Sequence, residues 1–157
     1  MGQIQERNLV NKPELSPGNS KVQRDAELIM VARLGREMSC VLESKRIKLP
    51  DGSRLELDAY CVDPLIICEA WAHQGPPKSA QKFKVMNDAM KLLAARSVVD
   101  EHARAVLLFA DEDAASHFRR KTWHAIALTE NRIEVIVAHL SEELRAKIRV
   151  AQSRQYR

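Results

Sequence analysis

Aromatic side chains are scarce in this 157-residue chain, only 4% of the total. Its core must therefore rest on Leu, Ile, Val, Ala and Met. Also missing is any run of ~18 uncharged apolar residues, the length a membrane-spanning helix needs. The first twenty residues, MGQIQERNLVNKPELSPGNS, hold no apolar signal core, so we expect no secretion signal. The Met-Gly start has Glu6 where myristoylation asks for Ser or Thr. Cysteine occurs three times, as Cys40, Cys61 and Cys68. Neither a disulfide framework nor zinc spacing is present, and the three read as buried thiols of a reducing cytosol. A cytoplasmic protein with no membrane partner is expected. Internal repeats and low-complexity tracts are lacking as well.

What is present is ordinary for a globular chain: 45% apolar and 29% charged residues. The length suits one domain with one real core. A net charge of +4 permits nucleic-acid binding without establishing it. The charge is unevenly spread. Lys78 to Lys91 carries four lysines and one acid, and the last thirteen residues, RAKIRVAQSRQYR, carry five Arg or Lys and no acid.

Residues 1–19, with Pro13, Pro17 and Gly18, are expected to be irregular. Residues 20–157 are read as a single α/β domain with a basic C-terminal helix or tail. Leu28, Val31, Leu34, Met38, Val41 and Leu42 recur at three or four residues and predict a first helix. It should end before the turn signal Leu49-Pro50-Asp51-Gly52. RLELDAYCV alternates, with Leu55, Leu57, Ala59 and Cys61 on one face and Glu56, Asp58 and Tyr60 on the other. LIICEAWAH reads as a central strand covered on both sides. A further strand is expected near 46–49. Helices are predicted over 79–96, 111–129 and 141–152, and strands at RAVLLFAD and IEVIVAHL. The fold class is thus α/β, with a mixed central sheet flanked by helices in the order αβββαβαβα.

If the strands at 55–61 and 66–73 are antiparallel neighbours, Asp58 and Glu69 converge. Each desolvated carboxylate costs several kcal/mol unless neutralised. A hard divalent cation, Mg²⁺ or Mn²⁺, would neutralise the pair.

A helix bearing glutamate, a strand with Asp58, a strand with Glu69, then helix, strand and helix resembles the PD-(D/E)xK phosphodiesterase superfamily over about residues 24 to 140. That superfamily includes restriction endonucleases, Holliday-junction resolvases and repair nucleases. The resemblance implies a restriction-endonuclease-like order and Mg²⁺-dependent hydrolysis of nucleic acid, DNA more than RNA. It implies Asp58 and Glu69 as metal ligands and Glu27 as the helical acid, with Glu37 as its rival. A homodimer would fit the superfamily too. Glu69-Ala70-Trp71 has tryptophan where the superfamily has lysine. An amine from the following helix would replace it. Lys78, Lys82 and Lys84 are the candidates, and the stripe Lys78, Gln81, Lys82, Val85 favours Lys82, then Lys78. Gln81, Lys84, Lys91, Arg119, Arg120 and Lys121 are expected nucleic-acid contacts.

The blander readings leave Asp58 on a wet sheet face beside Glu56, Glu27 on a solvated helix face, and Trp71 and His73 in packing. They correspond to a catalytically inactive nucleic-acid-binding or assembly module on the same fold, or to a protein–protein interaction domain.

Overall fold

The computed structural model describes residues 17–155. Most of the segment expected to be irregular lies outside the described residues. The described chain is one mixed α/β domain. Its elements are α1 (Pro17–Glu37), β1 (Glu43–Lys48), β2 (Arg54–Cys61), β3 (Ile66–Trp71), α2 (Ser79–Val99), β4 (Arg104–Phe109), α3 (Glu112–Ser116), α4 (Trp123–Glu130), β5 (Ile133–Val137) and α5 (Glu142–Arg154).

The five strands form one sheet in the order β1-β2-β3-β4-β5. β1, β2 and β3 run antiparallel, whereas β3, β4 and β5 are parallel. Every residue of β3 is buried, as befits a strand with a neighbour on each side and helices on both faces. One face packs Ile67, Leu107 and Phe109 against Val85, Ala89 and Leu92 of α2, with α3 and α4 completing the layer. The other packs Ile66, Cys68, Val106 and Leu108 against Met30 and Leu34 of α1 and Ile148 of α5.

Several expectations are corrected. α1 begins at Pro17 rather than near Ser20; a proline without an N–H is tolerated in a first helical turn. Its buried stripe is Ala26, Met30, Val31 and Leu34, while Leu28 and Val41 are exposed. Leu28 lies two residues from both Ala26 and Met30, close to the opposite side of a helix that turns 100° per residue. α1 stops at Glu37 because Ser39 adopts a left-handed φ of 55°. Cys40 N–H then donates to Gly35 C=O at 2.9 Å and Ser39 N–H to Arg36 C=O at 3.3 Å, closing the helix end. Gly35 is required there, since a Cβ would meet Cys40 O at 2.7 Å.

The helix expected over 111–129 is two helices. Asp111 caps α3 by accepting from Ala114 N, and Thr122 caps α4 by accepting from Ala125 N. Lys121, at φ 58°, turns the chain between them. Serine, threonine and aspartate compete for helical backbone donors in this way.

The simple alternation of β2 is also broken. Leu55, Leu57 and Tyr60 pack on the α2 side, whereas Ala59 packs on the α1 side. Between its pairings Glu43↔Tyr60 and Lys45↔Leu57, β1 advances two residues while β2 advances three. The extra residue makes a β-bulge between Leu57 and Tyr60, where Asp58 sits. Bulges re-aim side chains.

Candidate active site at the parting of two strands

The β2–β3 ladder pairs Cys61 with Ile66, Tyr60 with Ile67 and Ala59 with Cys68, and goes no further. The next residues across are Asp58 and Glu69, and here side chains replace the ladder. Asp58 N–H donates to Glu69 Oε1 at 3.2 Å, and Ala70 N–H donates to Asp58 Oδ2 at 2.9 Å. Each acid thus accepts from the main chain of the other strand. Glu69 is only 3% exposed and Asp58 is exposed, so the pair runs from the core to the surface.

α2 lies over this gap. Lys84, Asp88 and Lys91 recur at i, i+4 and i+7 and share one helical face. Lys91 Nζ is 2.7 Å from Glu69 Oε2. Lys84 Nζ stands 4.7 Å from the centroid of the Trp71 ring, a cation–π distance. The indole is stacked on His73, with centroids 4.3 Å apart and planes 13° apart. The His73 ring nitrogens are each 3.2 Å from a glutamine amide, Gln23 of α1 and Gln81 of α2. Helices from opposite faces of the sheet are therefore linked through one imidazole.

Burial, and then the crowding of acids, sets the electrostatics. Burial, then the charge of Asp58, push the Glu69 carboxyl up to about 8; Lys91 opposes this. Burial and Asp58 also raise Glu27 to about 7, against Lys84. Asp88 is raised by burial, with Lys84 and Lys91 pulling it down. His73 is pushed down to about 4 by burial and then by Lys84, so it is neutral at physiological pH. Cys68 lies fully buried behind the acids. Burial, Asp58 and Glu69 all hold its thiol well above the ordinary range, which denies it a nucleophile's role.

Of the residues singled out in the sequence, Asp58 and Glu69 come together, and Glu27 lies near enough to feel the charge of Asp58. Glu37 is exposed in the last turn of α1, and Glu56 pairs with Arg46 at 3.3 Å on the exposed sheet edge. The amines at the acids are Lys91, expected as a nucleic-acid contact, which pairs with Glu69, and Lys84, the third of the candidate amines, whose charge acts on Glu27 and Asp88. Val85 is buried, as its stripe requires. Lys82, however, faces His117 and His124, whose pKa values are lowered by burial and then by its charge. Lys78 lines a separate cleft with Gln74, Arg149 and Gln152. Gln81, besides touching His73, accepts from Lys78 N–H at 2.8 Å. Arg119 is tied to Glu112 and Val135 O at 2.9 and 3.2 Å. Arg120 and Lys121 are exposed.

Asp88 and Gln23 had not been expected at the site. The signal for Asp88 was its place between Lys84 and Lys91 at helical spacing. Gln23 had no signal, because its partner is fifty positions away.

The donor set is hard oxygen, and its raised carboxyls are those of acids short of positive charge, which is the chemistry a divalent cation answers. No group of three or more His, Cys, Asp or Glu is arranged to hold a metal among the described residues, so any such ion would rest on the Asp58–Glu69 pair. No helix among the described residues is long and apolar enough to cross a membrane. Compared with protein-family models, curated proteins and solved structures, the chain matches none.

Proposed function

We propose that the chain is a Mg²⁺- or Mn²⁺-dependent phosphodiesterase acting on nucleic acid, on a restriction-endonuclease-like arrangement of its α/β elements. One observation carries this reading. Asp58, aimed by a bulge, and buried Glu69 exchange main-chain hydrogen bonds where their strands part, with Lys84 over the tryptophan that stands in place of a strand lysine. The order helix, three antiparallel strands, helix and parallel strand supports it.

Asp58 and Glu69 would hold the cation, which supplies a polarised phosphoryl oxygen and a more acidic bound water. The chain's own groups do the rest. Lys84 offsets the charge that grows on the phosphoryl oxygens, work that a preorganised donor in a partly desolvated site does well. Trp71 fixes the direction of that amine. Glu27 reaches the same charges from α1 and, raised to about 7, can take or give a proton near neutrality. Lys91 holds Glu69 in place.

Purified protein should cleave DNA or RNA with Mg²⁺ and stop with a chelator, and Asp58→Asn and Glu69→Gln should each abolish cleavage while remaining folded. Cleavage unchanged in both variants would end this reading.

A second reading has its own support. The Lys91 ammonium occupies Glu69 Oε2 at 2.7 Å, and the strand lysine is absent. A catalytically inactive nucleic-acid-binding module would keep those features. It predicts salt-sensitive binding without turnover, and indifference to Asp58→Asn.

A further inference from the structure

We propose that the groove between α2 and the α3–α4 turn binds single-stranded nucleic acid, with Trp123 as a stacking platform and Lys82, Arg120 and Lys121 on the phosphates. This deepens the nuclease reading, on which it rests, by naming the substrate class.

The groove has a volume of about 390 Å³, and Lys82, Arg120 and Lys121 line it against a single carboxylate, Asp113. Three cations against one acid in a concave surface suit a polyanion. Beside it Trp123 is 65% exposed, an unusual state for one of two tryptophans in a chain so poor in aromatics. The ring is braced from behind. Trp123 stacks on His124 with centroids 3.8 Å apart and planes 25° apart. His124 Nδ1 is 3.0 Å from His117 Nε2, and His117 meets the buried Phe118 edge-on at 5.1 Å. A chain of rings thus ties the outer indole to the core. A flat π-face held rigid in water beside cations is what an unpaired base stacks on. A duplex keeps its bases stacked inside and offers that ring no face, so the preference should be for single strands. α2 links the two sites. Lys82 flanks the groove, and Lys84, two residues on, stands over Trp71 at the other site.

The test uses labelled oligothymidylate and a duplex of equal length, with the full chain in chelator so that cleavage does not intervene. Fluorescence anisotropy should show the single strand binding at least ~10-fold tighter than the duplex. Binding should quench tryptophan emission. Stacking is worth ~1–3 kcal/mol per base, so Trp123→Leu should weaken binding by about 5- to 150-fold and abolish the quenching, leaving the signal of Trp71. Trp123→Phe, which keeps a ring, should recover much of the affinity and shows that the loss is not misfolding. Arg120→Gln should flatten the plot of log affinity against log salt by about 0.7, the share of one phosphate contact on a single strand. Wild-type affinity in Trp123→Leu, equal or better binding of the duplex, or equal competition by anionic vesicles or polyglutamate would overturn the proposal. Binding without cleavage in Mg²⁺ would sink the nuclease reading alone. Cleavage without single-strand binding would sink this one alone.

Discussion

Two acids, Asp111 and Glu69, are almost equally buried, at 5% and 3% exposure, yet their surroundings differ in kind. Asp111, just beyond β4, is met only by donors. Its Oδ2 accepts from Gly75 N–H at 2.6 Å and Ala114 N–H at 3.3 Å, and its Oδ1 from Arg145 at 3.0 Å. Arg145 also donates to Gln74, and Gln74 and Gln152 exchange bonds through the Gln74 backbone. The result clasps α5 and α3 to the end of β3. Glu69 has a backbone donor and one lysine, but it shares its space with the charges of Asp58 and Asp88. A buried acid surrounded by donors closes a structure. One surrounded by acids keeps an electrostatic cost that folding alone does not explain.

Breaking the first network should have the largest effect on stability. Asp111→Ala leaves Arg145 and two backbone N–H groups without their acceptor. Removing one partner of a buried pair costs ~3–5 kcal/mol; Arg145 is about one-third exposed and can turn to water, so about 3 kcal/mol is expected. A urea midpoint equal to that of the wild type would show that the clasp contributes nothing.

The second network should fail in rate instead. Lys84→Met is expected to lower cleavage at saturating substrate ~100-fold, about 2.7 kcal/mol of barrier, with Lys84→Arg recovering part. If the Met variant turns over like the wild type, the amine over Trp71 has no part in the chemistry.

The pH dependence of stability separates the two acids further. The folded pKa of Glu69 is raised from 4.5 to about 8, first by burial and then by Asp58. A carboxyl raised on folding contributes stability that is fully present below about 4.5 and is lost as pH rises through about 8. Glu69→Gln cannot ionise, so its stability should fall less than that of the wild type between pH 5 and 8. At one pK unit per ~1.4 kcal/mol, the variant should gain at least ~1 kcal/mol on the wild type across that window. Glu27, raised to about 7, titrates in both proteins and cancels in the difference. Urea titrations at the two pH values that give parallel losses would contradict a Glu69 carboxyl raised by burial and by Asp58.

Much of this site follows from residue spacing. Antiparallel pairing of the two strands brings Asp58 and Glu69 close, because Ala59 opposes Cys68 and the acids are the next residues on each strand. The row Lys84, Asp88, Lys91 is visible as a helical face. Which flank of α2 turns to the acids is not, since Lys82 and Lys84 sit on different sides of one amphipathic helix and only packing chooses between them. The bulge at Asp58 is equally hidden. It arises from a mismatch of spacing between β1 and β2, and neither strand carries that alone. The split of α3 from α4 was legible in part, through Asp111 and Thr122 as capping residues. The Asp111 clasp was not, because its partners Gly75 and Arg145 are 36 and 34 positions away.

The smallest effect sharpens the comparison most. Asp58→Asn keeps a carbonyl oxygen where Oδ2 accepts from Ala70 N–H, and its exposed position carries no cavity cost. It removes the charge that, after burial, raises Glu69 and Glu27, which favours the fold. We therefore expect a stability change within about 0.5 kcal/mol, the usual range for a surface substitution, together with loss of cleavage. Asp111→Asn is the matched control. Its oxygen can serve only one side of the network, and its amide puts a donor opposite Gly75 N–H or the Arg145 guanidinium, so it should unfold at clearly lower urea. Equal midpoints for the two Asn variants would mean that burial alone, and not the company each acid keeps, sets what these carboxylates contribute.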